Sequence, residues 1–118
     1  MSNKHVRVET TGGVVEATLL DKHVLDEVII GAIGKELSAA MDEVSPPRLI
    51  VSFAAVEHLS SAALGMLITL NNLANEAGGV LCLSGIENRI LEVFRITRLD
   101  KVLTIEADMG AARGALRV

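Results

Sequence analysis

The sequence predicts an α/β fold, a single domain over residues 1–118 with a mixed, mostly parallel sheet of about five strands and about four helices. Three observations predict it. Strand-like and helix-like segments alternate along nearly the whole chain, which implies parallel strands joined by helical crossovers. Two inner runs, RLIVSF from Arg48 and VLCLSG from Val80, are almost continuously apolar, as strands covered on both faces are. The chain has 118 residues, half of them hydrophobic, which suits one domain with one core. No internal repeat, low-complexity segment or linker interrupts it.

The elements follow in order. HVRVET and VVEATLL read as two strands joined by the TGG turn, and Val6 and Val8 alternate with Arg7 and Glu9 as in a half-exposed edge strand. DKHVLDE reads as a loop. DEVIIGAIGKELSAAMDEV reads as a helix with Ile29, Ala32, Ile33, Leu37, Ala40 and Met41 on its apolar side, ended by Pro46 and Pro47. RLIVSF is a buried strand. The helix after it runs to Gly78 and Gly79, which tolerate a left-handed cap. VLCLSG is a second buried strand. ENRILEVFRITR is an amphipathic helix using Ile90, Val93, Phe94 and Thr97. KVLTIE is a last strand and MGAARGALRV a short terminal helix.

Composition excludes several functions. The net charge of −4 and the absence of Trp and Tyr argue against nucleic acid, which needs clustered cations and stacking aromatics. Cys82 is alone, so it forms no internal disulfide and reads as a buried apolar thiol in a reducing compartment. The polar start MSNKHVRVET has no signal-peptide core, and no apolar run approaches membrane-spanning length, so a cytoplasmic protein without membrane contact is expected. His5, His23 and His58 lack ligand spacing, so neither a metal nor a cofactor is expected. Ser61 and His58 lie close together, but the nucleophile-elbow pattern is absent, so no catalytic residue is assigned. Phosphate-loop spacing and an acidic receiver cluster are also missing.

The informative stretch is VEHLSSAALGMLITL, Val56 to Leu70. On a helical wheel begun near Ser61, Ala63, Met66, Leu67, Leu70, Leu73 and Ala74 share one arc of about 120°, wide enough to pack on a sheet. Ser61, Leu64, Gly65, Ile68 and Asn72 form a second stripe. It suits docking of another protein, or a second core contact under a neighbouring helix. Either serine can cap the helix through its oxygen. The same place also suits a phosphate, because free N–H groups and the helix dipole stabilise negative charge there.

That stretch resembles the signature of the STAS domain, the family of bacterial anti-sigma factor antagonists. RLDKVLTIEADMGAARGAL, from Arg98, looks like the family's closing strand and helix. Nearly the whole chain is covered. Against the family pattern Ser60 stands where Asp is frequent, Ser52 where a strand-end acid is common, Ala63 where glycine is usual and His58 where an aromatic is usual. The resemblance implies a non-enzymatic partner switch; the oligomeric state is left open by the sequence, with a monomer when free as the plain expectation. Its partners would be an anti-sigma factor serine kinase and a serine phosphatase. Ser61 is implied as the phosphorylated position, with Ser60 as second choice. The implied docking residues are His58, Leu59, Ser60, Ser61, Leu64, Gly65, Ile68 and Asn72. The resemblance equally allows an unphosphorylated soluble accessory subunit, for example of a lipid-transport ABC complex.

Overall fold

The TGG turn folds the first two strands back on one another. In the computed structural model, which describes residues 5–116, β1 (Val6–Thr11) pairs antiparallel with β2 (Val14–Leu19), Val6 opposite Leu19 and Thr11 opposite Val14. Gly12 and Gly13 take φ of 58° and 80°, left-handed values that a side chain would strain. The chain continues through β3 (His23–Val24), α1 (Glu27–Met41), β4 (Arg48–Ser52), β5 (His58–Leu59), α2 (Ser61–Glu76), β6 (Val80–Ser84), α3 (Asn88–Ile96), a 3₁₀ turn (Leu99–Lys101), β7 (Thr104–Glu106) and α4 (Met109–Leu116).

The main sheet has the order β1-β2-β4-β6-β7, with every pair after the first parallel. This is the expected mixed, mostly parallel sheet of five strands with four helices. Side-chain alternation divides the buried residues between two faces. On one face Val15, Leu49, Val51, Leu81 and Leu83 pack with Ile33 and Leu37 of α1, Leu67 of α2 and Phe94 of α3. On the other, Val14, Ile50 and Cys82 pack with Ala112 and Leu116 of α4, flanked by the half-buried Val80 and Met109. Asp26 caps α1 by accepting hydrogen bonds from the Val28 and Ile29 N–H groups, at 2.7 and 3.3 Å.

Three expectations change. The segment read as a loop, DKHVLDE, contains β3, which pairs in parallel with β5 in a separate small sheet. The expected strand KVLTIE shortens to Thr104–Glu106, because Arg98 takes a left-handed φ of 60° and Leu99–Lys101 wind into the 3₁₀ turn. On α3 only Ile90 and Phe94, one turn apart, are buried; Val93 and Thr97 are exposed because they sit at the edge of that narrow stripe. The last two residues of the expected terminal helix lie outside the described residues.

Candidate functional site

The segment after β4 is held at both ends. The Phe53 N–H donates to the Ser84 carbonyl at 2.8 Å, and the Val56 N–H donates to the Phe53 carbonyl at 2.9 Å. Phe53 and Val56 are buried and anchor the bend. The Glu57 and His58 N–H groups both donate to the Lys22 carbonyl, at 2.8 and 3.0 Å, and the Ser60 N–H donates to the Val24 carbonyl at 3.0 Å. The chain thus enters α2 along β3, and the paired positions bring His23 against His58 with ring centroids 4.9 Å apart and planes 8° from parallel. Two rings stacked this way aim their nitrogens side by side, not at a common point. Among the described residues no group of three or more His, Cys, Asp or Glu could hold a metal ion.

The two serines have different work. Ser60 has extended backbone angles, φ −89° and ψ 166°, and its Oγ accepts a hydrogen bond from the Ala63 N–H at 3.3 Å. It is the cap, and it is half-buried. Ser61 is the first residue of the helix and is exposed. No acidic side chain occupies the first turn of α2, so the helix itself supplies no negative charge to its free N–H groups.

The second stripe is only partly outward. Leu64 is 8% exposed and belongs to the main core, so of the two readings of that stripe Leu64 takes the core contact and not an exposed docking position. Its remaining exposed edge lines a cleft of about 200 Å³ together with Glu57, His58, Leu59, Arg89, Ile90 and Val93. Ile68 is half-buried, while Gly65 and Asn72 are exposed. A side chain at Gly65 would meet nothing within 4 Å, so internal packing does not require glycine there. The buried face of α2 is Ala63, Leu64, Leu67, Leu70, Asn71 and Ala74, rotated from the expected arc toward Leu64 and Asn71. Leu73, placed inward on the wheel, is 44% exposed, and Met66 is half-buried beside Gly34 of α1.

His58, Leu59, Ser60, Ser61 and Leu64 therefore gather at one end of α2, with Gly65, Ile68 and Asn72 along the helix beyond them. The STAS domain model matches residues 6–112. The chain belongs to the STAS domain family. Solved structures share its fold throughout. A STAS domain protein from Planctomyces limnophilus, an anti-sigma-factor antagonist, superposes with a TM-score of 0.83 at 20% identity, over 96% of this chain and 98% of that one. An anti-sigma factor antagonist from Mycobacterium paratuberculosis gives 0.82 at 24% identity, over 96% and 93%. The Bacillus cell fate determinant SpoIIAA in its phosphorylated form gives 0.67 at 18% identity, over 93% and 98%. No curated protein sequence matches the chain.

Three contributors to this STAS surface escaped the sequence. His23 reaches it only through the β3–β5 pairing, for which a two-residue strand carries no periodic signal. Arg89 and Val93 enter from α3. Their signal was the Ile90–Phe94 spacing, which leaves Val93 on the rim of the apolar stripe. No helix is long and apolar enough to cross a membrane among the described residues.

Proposed function

We propose that this STAS domain is an anti-sigma factor antagonist, cytoplasmic, that docks on an anti-sigma serine kinase through Val56–Ser61 and the exposed start of α2. Phosphorylation of Ser61 breaks the complex and a serine phosphatase restores it. One observation carries the reading: Ser60 uses its oxygen as the helix cap, and Ser61 stands exposed at the first helical position.

A phosphate on Ser61 would bring nearly two negative charges next to the free N–H groups of α2, which keep the modified domain folded. Docking would then have to strip water from that phosphate beside Leu59, Gly65 and Ile68, and desolvating a charge without a partner is costly. The domain is the substrate and ligand of this switch, and the kinase supplies the chemistry.

The test is incubation with the cognate kinase and ATP, followed by mass spectrometry and binding assays. Phosphate is expected on Ser61, with Ser61→Ala binding as wild type and Ser61→Asp weakened roughly 100-fold or more, the scale of an unpaired buried charge. Phosphate on Ser60 overturns the site. Binding without phosphate on either serine leaves an unregulated accessory subunit instead.

A further inference from the structure

β1 is an edge strand whose free side carries a self-complementary pattern. The Leu20 N–H donates to the His5 carbonyl at 2.9 Å, and the register pairs Arg7 with Thr18 and Glu9 with Glu16. Alternation along an antiparallel ladder then turns the N–H and C=O groups of Val6, Val8 and Thr10 away from β2. The Val6 N–H is already taken: it donates to Glu36 Oε1 of α1 at 3.0 Å. The Val8 and Thr10 N–H groups have no partner among the described residues. Such an edge is a template for a further strand unless it is blocked.

The side chains say which strand fits. Arg7 and Glu9 are exposed on the outer face, on either side of Val8, and neither forms an ion pair with another described residue. Inside the chain Arg7 faces a threonine, and Glu9 faces a glutamate already held by Arg113. We propose that β1 pairs with β1 of a second copy of this chain, antiparallel, about a two-fold axis through Val8. In that register Arg7 lies opposite the second copy's Glu9 and Glu9 opposite its Arg7, in the closer, non-hydrogen-bonded positions where opposite charges attract most. Val8 meets Val8, exchanging both backbone hydrogen bonds, and the Thr10 N–H of each copy reaches the Val6 carbonyl of the other. Glu36 keeps the remaining Val6 donor, so the ladder stops there. The pairing is isologous, and each copy has one such strand, so it closes at a dimer. It joins two five-stranded sheets edge to edge and uses none of the residues assigned to kinase docking.

Sedimentation of the full chain over a wide concentration range tests this. The weight-average mass should rise from one chain toward two, and more readily at low salt. Arg7→Glu and Glu9→Arg should each remain monomeric, because each places like charges opposite one another. Mixing the two variants should restore the dimer, since the edge of one copy then carries two acids and faces two bases on the other; the double variant R7E/E9R should dimerise alone. Unfolding curves for each variant establish that it is folded. A wild-type chain that stays monomeric throughout overturns the proposal. So does a dimer indifferent to either charge reversal, which would place the contact or an unrelated partner surface elsewhere, or a mixture that fails to reassociate.

Discussion

Gly78 and Gly79 end α2 for different physical reasons. Gly78 takes φ 77°, the left-handed value of a helix C-terminus, and a side chain there would meet open space. Gly79 has an ordinary φ, but a Cβ on it would lie 2.0 Å from the Pro47 carbonyl oxygen, inside backbone that cannot swing aside. The Val80 N–H donates to that same carbonyl at 2.8 Å, so the contact also sets the register of β6 beside β4. Gly78→Ala should therefore cost about 1 kcal/mol, the strain of one left-handed residue. Gly79→Ala should cost roughly 3 kcal/mol, as a strand start forced off its neighbour does. Urea unfolding at unchanged m-value distinguishes them; equal losses would mean that Pro47 yields. From sequence both glycines read as one helix stop, and the distinction needed the position of a backbone 32 residues away in the chain. The same holds for the serines. Two adjacent hydroxyls are equivalent caps on paper, and only the extended backbone of residue 60 assigns the cap to Ser60.

α4 is attached differently from the other helices. It meets the sheet through a small apolar cluster and through Arg113, which donates from Nη2 to Glu16 Oε1 at 2.8 Å and from Nε to Glu16 Oε2. Glu16 is buried in the middle of β2, and the Arg113 guanidinium holds its carboxyl below the ordinary carboxylate range despite burial. A depressed carboxyl stabilises the fold above its ordinary pKa, and that contribution is lost as pH falls through the folded value. Beneath α4 lies Cys82, whose thiol is pushed up to about 11, chiefly by burial and then by Glu106. Cys82 thus reports undocking of α4. Its labelling by a neutral-pH thiol reagent should be slow in the wild type and at least roughly tenfold faster in Arg113→Met, which strands Glu16 without its partner. Thermal unfolding of that variant should lose the wild type's gain in stability from acid toward neutral pH. Unchanged labelling would mean that the apolar cluster alone holds the helix. The alternating strands and the continuous apolar runs of β4 and β6 were legible because periodicity records burial directly. How α2 turns its face was not, because which side of it is sealed depends on the elements packed around it, which no period within the helix encodes.

The two faces of the sheet are unequal, and this orders the stability of the parts. Three helices bury one face under a large continuous core; one eight-residue helix covers the other. The inner strands β4 and β6 are sealed on both faces and hydrogen-bonded on both edges, so their amides can exchange only when the domain unfolds as a unit. β7 has three residues and one free edge, and α4 can leave without opening the main core. Ser61 and Gly65 lie outside both clusters, so a modification at the proposed switch position need not disturb the core. Hydrogen exchange should therefore show three tiers: Leu49, Val51, Leu81 and Leu83 slowest and equal to one another, the buried turns of α1 and α2 next, and α4 with β7 fastest. Ser61→Asp should leave the slowest tier unchanged while altering the first turn of α2, where its carboxylate meets the free N–H groups. Amides of α4 exchanging as slowly as those of β4 would refute this ordering. A slowed or quickened inner sheet in Ser61→Asp would show that a charge at position 61 acts through the fold, and a loss of binding to the proposed kinase partner could then no longer be assigned to desolvation at the proposed docking face.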